Sequence, residues 1–411
     1  MDAYTLSSIV LTLAVIIGYL NHRFIHMQST IAIMSASLVL SGIFLILQYL
    51  GIANLAHRMQ EVMNIINFPD LLLRGMLGFL LFAGALTIDF NALKNQKWEI
   101  GILASVSTMA STIAVGFLLY CLLPFLHLSL PFLYCLLFGA LISPTDPIAV
   151  LATFKHIGAS KKLAVCVAGE SLFNDGVGIV LFATLYSLTA THTPATVTQV
   201  SLFFLKEALG GIAYGALLGM VTRQLLRGIT DHRIAILLTI AIVMGGYGLA
   251  TALGISGPLA MVVVGIVVGN NHSQNKIQSK MKASLWLFWE VVDELLNAVL
   301  FLLIGFELLT IKAMAIQVIA IVGVIPLVLL VRLLTVSIPM KCIQLRREPT
   351  PHAIAMLTWG GLRGGLAVAL ALSLSPSPYR DFILAMTYGV VAFSVIVQGG
   401  TIKQFFGRSL L

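Results

Sequence analysis

Charge is what this sequence has least of. Only 10% of its 411 residues are charged, against about 25% in ordinary soluble domains. That is too little to cover a water-facing surface, so a soluble globular fold is excluded. Cysteine is scarce as well. Cys121, Cys135, Cys166 and Cys342 stand in or beside apolar stretches without a C-x-x-C pair. This excludes a disulfide framework and a thiolate metal site, and reads as four small buried apolar residues. No basic stretch precedes the first apolar run, where Asp2 stands instead. A cleavable leader is therefore not expected, and that run is read as a span that stays. Low-complexity tracts and long linkers are missing, and no soluble C-terminal domain is expected after the last apolar run. The nine histidines lie in loops or near span ends, where solvated histidines are the common case.

What the chain has in quantity is apolar length. Hydrophobic residues make up 59% of it, and the mean hydropathy is +1.01. A helix needs roughly 20 apolar residues to cross a bilayer. About thirteen such spans are read, near 4–20, 30–50, 70–89, 100–122, 130–154, 162–189, 199–222, 234–253, 256–270, 285–308, 313–340, 352–374 and 380–402. The expected fold is an all-α polytopic membrane protein, a single membrane domain over 1–411. The net charge of +8 would suggest nucleic acid in a soluble protein. In a membrane bundle it places basic residues in cytoplasmic loops, and no nucleic-acid partner is expected. With the N-terminus outside and the C-terminus inside, 17 Lys and Arg fall on the cytoplasmic side and five on the other.

Two spans are interrupted. Span five holds Ser143-Pro144-Thr145-Asp146-Pro147, whose two prolines remove amide donors and obstruct an α-helix. Span twelve holds Trp359-Gly360-Gly361-Leu362-Arg363-Gly364-Gly365, whose glycines favour unwinding. The two lie seven spans apart, an odd offset, so they run in opposite directions. That is the pattern of an inverted repeat with two broken crossing helices, and such breaks point to a transport site near the membrane midplane.

Charged groups within spans are costly, so each needs a reason. Asp146 sits at the first break and Arg363 at the second. Each is placed to offset the helix end that meets it, Asp146 the positive and Arg363 the negative. Span six carries Glu170, Ser171, Asn174 and Asp175. Ser171 and Asp175 are i and i+4 and share a helix face, and Glu170 and Asn174 form a second such pair. Asp146, Asp175, Ser171 and the Thr145 carbonyl would make an oxygen cage suited to Na⁺ or Li⁺, not to zinc. Arg332, in the middle of span eleven, needs a buried acid, and Glu170 is the preferred partner in a structural ion pair. Three carboxylates against two arginines leave one negative charge for a cation or a proton to balance. Two neighbouring carboxylates resist being ionised together, so cation and proton compete for the same oxygens. Such competition at one alternately exposed site suffices for exchange.

An enzyme is not expected. Gly169-Glu170-Ser171 begins like a nucleophile elbow, but Phe173 stands where its second glycine belongs. The alternatives kept open are a K⁺/H⁺ antiporter, a cation channel and, less favoured given three buried acids, an organic-anion symporter.

Four strings, ISPTDPIAV, GESLFNDGVGIVLF, LLNAVLFLLIGFEL and TWGGLRGGLAVALAL, resemble the NhaP/NHE-type Na⁺/H⁺ antiporters of the first monovalent cation:proton antiporter family. The likeness runs from about span three to span thirteen. It implies a secondary active antiporter that takes a monovalent cation and a proton as cargo, without a resident cofactor. It implies a homodimer in membrane lipid, with a mobile core (100–189 and 313–402) and a dimerisation scaffold (4–89 and 199–308). By match to the motifs, Asp175 is the principal ion- and proton-binding carboxylate, with Asp146, the Thr145 carbonyl and Ser171 as co-ligands. Asn174 orients the site and Glu170 pairs with Arg332. Asn174 before Asp175, rather than a second Asp, resembles the electroneutral branch. The lack of a cytoplasmic tail resembles bacterial members, which places the chain in a bacterial inner membrane as a multi-pass protein.

Overall fold

The computed structural model describes residues 3–51, 59–60, 67–157, 160–190, 197–270, 276–309, 315–344 and 352–407. Arg58, Lys312, Arg346, Arg347 and Arg408 of the charge pattern lie outside the described residues, as do residues 313–314 of the expected eleventh span. Among the described residues the fold is helical, and the sole β-type pairing is an isolated antiparallel bridge between Asp146 and Leu362. In chain order the main helices are α1 (Ser8–Ile25), α2 (Ser29–Tyr49), α3 (Phe68–Leu86), α4 (Lys97–Leu126), α5 (Phe132–Ile142), α6 (Ile148–Ile157), α7 (Lys161–Thr189), α8 (Ser201–Arg227), α9 (His232–Ala252), α10 (Gly257–Gly269), α11 (Lys276–Glu307), α12 (Val318–Ile343), α13 (Ala353–Trp359), α14 (Gly365–Leu372) and α15 (Pro378–Phe405).

Nine of these are long and apolar enough to cross a membrane: α1 to α4, α7 to α9, α12 and α15. They match nine of the spans read from the sequence. The other four expected spans depart from that form for separate reasons. Two are split, into α5 with α6 and α13 with α14, at the proline and glycine runs. The helix α10 has only 13 residues, and α11 carries Glu290, Asp293 and Glu294 within its apolar stretch.

The chain packs into two compact units: Met1–Leu72 with Ser111–Ala159 and Asn297–Leu411, and Leu73–Ala110 with Ser160–Leu296. In the second unit α10 is the buried centre. It is apolar on all sides, as a helix without a solvent face must be. Its first turn holds Pro258, and the Ser256 hydroxyl accepts from the Leu259 amide at 3.3 Å. Gly211, Gly215 and Gly219 of α8 bring it into backbone contact. A Cβ on Gly215 would stand 2.5 Å from the Ala260 carbonyl oxygen. Spaced four apart, these glycines serve close helix packing. Trp286 and Trp289 of α11 differ in setting, and Trp286 fits an interface anchor. Its side chain is exposed, with Lys282 Nζ 4.6 Å from the ring centroid. Trp289 is buried. Its ring meets Phe82 edge-on at 4.7 Å, and its Nε1 donates to Thr239 Oγ1 at 3.0 Å. The indole N–H found a partner inside the unit, so the residue belongs to the core.

In the first unit the end of α11 lies against α2 at Gly305, where a Cβ would collide with Ser37. The Ser41 hydroxyl donates to the Gly305 carbonyl at 3.0 Å and the Tyr388 hydroxyl reaches the same oxygen at 3.4 Å. All four cysteines are free, as expected. Cys135 and Cys166 are buried, whereas Cys121 and Cys342 are exposed on the flanks of apolar helices, where a thiol is tolerated as a small apolar group. His26, His127 and His352 adopt left-handed backbone conformations at helix ends.

Candidate ion-binding site

The two broken helices meet at their breaks. The Asp146 amide donates to the Leu362 carbonyl at 2.7 Å, so each interrupted strand of backbone answers part of the other's lost hydrogen bonding. Around this contact the charges follow the helix ends. The Asp146 carboxylate accepts from the Ile148 amide at 2.9 Å, capping α6 where Pro147 has no N–H to offer. It also lies against the start of α14: a Cβ on Gly364 would stand 2.5 Å from Asp146 Oδ2. The carboxylate thus faces the positive ends of two half-helices. At Gly364 the absence of a side chain is a requirement of that approach.

The arginines take the negative ends. Arg363 Nη1 donates to the Ser143 carbonyl and, at 2.9 Å, to the Pro144 carbonyl, where α5 stops. It therefore crosses from its own break to cap the helix of the other. Arg332 does the matching service for α13. Its Nε and Nη2 donate to the Leu357 carbonyl at 3.2 and 3.0 Å, and it packs on Gly361. Both guanidinium groups are buried, 5% exposed for Arg332 and 2% for Arg363. Charge-assisted hydrogen bonds to carbonyl oxygens left open by the unwinding account for that burial. Thr145 is buried beside Asp146. Ser143 Oγ donates to the Gly139 carbonyl at 2.6 Å, and Thr112 Oγ1 lies 3.4 Å from Ser143 Oγ.

The second unit holds the rest of the predicted set on one helix. Glu170, Ser171 and Asn174 of α7 are buried and Asp175 is half-buried. Ser171, Asn174 and Asp175 sit at i, i+3 and i+4 of an unbroken helix, so their side chains share a strip. Gly169 and Gly176 flank this polar run. A Cβ on Gly169 would stand 2.7 Å from Ile100 Cδ1 of α4, and Gly176 lies directly against Leu259 of α10. These glycines let α7 pack closely on both sides of its polar centre. Polar groups buried on an apolar helix cost stability unless they are hydrogen-bonded or paired, and each of these four has a partner.

The structure thus gathers Thr145, Asp146, Arg332 and Arg363 in one unit and Glu170, Ser171, Asn174 and Asp175 in the other. The sequence reading missed three participants at the breaks: the Leu362 carbonyl, Ser394 and Gln398. Ser394 and Gln398 carried a weak signal, as polar residues four apart in an apolar span. The carbonyl carried none, since every residue has one.

Multiple apolar spans and two half-helix pairs crossing at charged breaks are the architecture of a secondary transporter. Residues 10–407 match the sodium/hydrogen exchanger transmembrane family, and the chain belongs to that family. It is 42% identical over 402 residues to the Na⁺/H⁺ antiporter NhaP of Pseudomonas aeruginosa, covering 97% of this chain and 95% of that protein. It is 36% identical over 379 residues to the Na⁺/H⁺ antiporter NhaH of Halobacillus dabanensis, covering 91% of each. The solved structure of the sodium proton antiporter MjNhaP1 from Methanocaldococcus jannaschii matches with a TM-score of 0.68, over 93% of this chain and 98% of that one. At 19% identity that likeness is one of fold.

Proposed function

We propose that this chain is a secondary active antiporter that exchanges Na⁺, or Li⁺, for H⁺ with no net charge moved. Cation and proton compete for Asp175 and Asp146, with Ser171 and the Thr145 carbonyl as co-ligands. Asn174 orients the site, and Glu170 pairs with Arg332. The protein works as a lipid-embedded homodimer in a bacterial inner membrane, with about thirteen spans, its N-terminus outside and its C-terminus inside. The core (100–189 and 313–402) moves against the scaffold (4–89 and 199–308) to expose the site on alternate sides.

The observation that carries this reading is the junction at Asp146. There a carboxylate is held among the positive ends of two half-helices, and the negative ends are covered by arginines. The arrangement keeps a hard oxygen ligand in an apolar surround. A small cation or a proton can then balance the charge.

The test is a reconstitution. Liposomes carrying an internal pH dye and an imposed pH gradient receive Na⁺, Li⁺ or K⁺ in turn. For wild type, Na⁺ and Li⁺ are expected to dissipate the gradient and K⁺ to leave it standing, and Asp175→Asn is expected to be silent. A response to K⁺ alone would make the chain a K⁺/H⁺ antiporter. Cation flux without proton movement would make it a channel. Full activity of the Asp175→Asn protein would remove the assigned site.

A further inference from the structure

Two buried polar side chains of the last span stand at the second break. Ser394 and Gln398 lie on the π-helical turn Ser394–Gly399 of α15, 0% and 3% exposed. A buried hydroxyl or amide costs free energy unless its hydrogen bonds are made. Here they are made, partly between the two side chains and partly to the break between α13 and α14. Ser394 Oγ accepts from the Arg363 amide at 2.9 Å and donates to Gln398 Oε1 at 2.8 Å. Gln398 Nε2 donates to the Trp359 carbonyl at 3.2 Å, at the end of α13. A third tie follows one turn on, where Trp359 Nε1 donates to Thr401 Oγ1 at 3.1 Å.

These bonds hold the end of α13 and, within the unwound segment, Arg363. The unwound segment makes contact with Asp146 at two places. Leu362 supplies the carbonyl that the Asp146 amide donates to, and Gly364 lies against the carboxylate. Arg363 reaches the carbonyl oxygens of Ser143 and Pro144, just before Asp146. Behind the segment, Arg332, Gly361, Arg363, Phe393 and Gln398 line a small cavity. A π-helical turn inside an α-helix is a frequent mark of a functional position, and this one carries both clamp residues.

We propose that Ser394 and Gln398 are positioning residues for cation binding. By holding the α13–α14 break they set the place of Arg363, Leu362 and Gly364, and through these the place of the Asp146 carboxylate. They touch no transported ion and act only through the break. The proposal rests on the reading of Asp146 as an ion ligand.

The experiment measures Na⁺-driven proton movement in proteoliposomes against Na⁺ concentration at several pH values. The proteins are wild type, Gln398→Leu, Gln398→Glu, Ser394→Ala, Ser394→Thr and Asp146→Asn. Loss of one buried hydrogen bond corresponds to about a tenfold change in a binding constant. Gln398→Leu and Ser394→Ala are therefore expected to raise the apparent KM for Na⁺ about tenfold, with far less change in maximal rate. Ser394→Thr keeps the hydroxyl and is expected to restore the wild-type KM. Gln398→Glu keeps the acceptor but loses the donor on ionisation, so its KM is expected to climb relative to wild type as pH rises. Wild-type KM and pH profile in both Gln398→Leu and Ser394→Ala, with Asp146→Asn impaired, would overturn the positioning role alone. Wild-type behaviour of Asp146→Asn would overturn the site reading instead. If Gln398→Leu does not give a monodisperse protein in detergent, the Ser394 pair and the pH dependence of Gln398→Glu decide the matter.

Discussion

At the scale of single residues, the charges at the two breaks obey one rule: acid at a helix N-terminus, arginine at a C-terminus. Removing an arginine exposes carbonyl oxygens with nothing to donate to them. Arg363→Ala is expected to cost about 3–6 kcal/mol, since hydrogen bonds from charged groups are worth about 1.5–3 each and two are lost. Thermal unfolding in detergent reads this as a lowered midpoint, and Arg363→Lys is expected to recover part of it with one compact donor group. Gly364→Ala puts a methyl group within 2.5 Å of Asp146 Oδ2. The carboxylate must move, so weaker Na⁺ binding is expected, seen as a raised KM in the exchange assay, with little loss of folded protein. The identity of these charged residues was legible in the sequence because a charge in an apolar span stands out. The carbonyl partners of Arg332 and Arg363 were not legible. A backbone acceptor has no signature, and those partners come from residues 25 and about 220 positions away.

Among elements, the breaks could be read directly, because proline lacks the amide and glycine lacks the side-chain restraint that a helix needs. Close packing was legible only as spacing. Gly215 of α8 proves to face Ala260 of α10. Gly215→Val is expected to destabilise the protein by about 1–3 kcal/mol through overpacking, measured by unfolding in detergent. Gly245 of α9 is a useful contrast, since nothing lies within 4 Å of an added Cβ there. Gly245→Ala is expected to be neutral or stabilising by up to about 1 kcal/mol, from helix propensity alone. Gly215 stands four residues from both Gly211 and Gly219, a glycine spacing that Gly245 lacks. Spacing marks the packing face, but only the fold shows which neighbour fills the gap. Trp289 makes the same point from the opposite side: next to an acidic helix end it reads as an interface residue, yet Thr239 and Phe82 make it core.

For the whole molecule, exchange by competition has two consequences. The apparent KM for Na⁺ is expected to rise as pH falls, because protons occupy the same oxygens, and to approach tenfold per pH unit once most sites are protonated. Dye-reported exchange at fixed Na⁺ across a pH series checks this, and a KM indifferent to pH would count against a shared site. Electroneutral exchange is expected to ignore an imposed membrane potential, which a potassium diffusion potential with an ionophore sets directly. By itself the sequence determined that this is a many-spanning helical membrane protein with two interrupted spans and ionisable groups inside them. Those conclusions depend on local chemistry: apolar length, missing amides, and the cost of charge in an apolar medium. Only the tertiary structure decided that the two breaks touch, that Asp146 pairs through its amide with Leu362, and which helix end each arginine covers. It also showed that Ser394 and Gln398 hold the second break from behind. These are meetings of residues far apart in the chain, and they depend on how helices pack, which no local property of the sequence encodes.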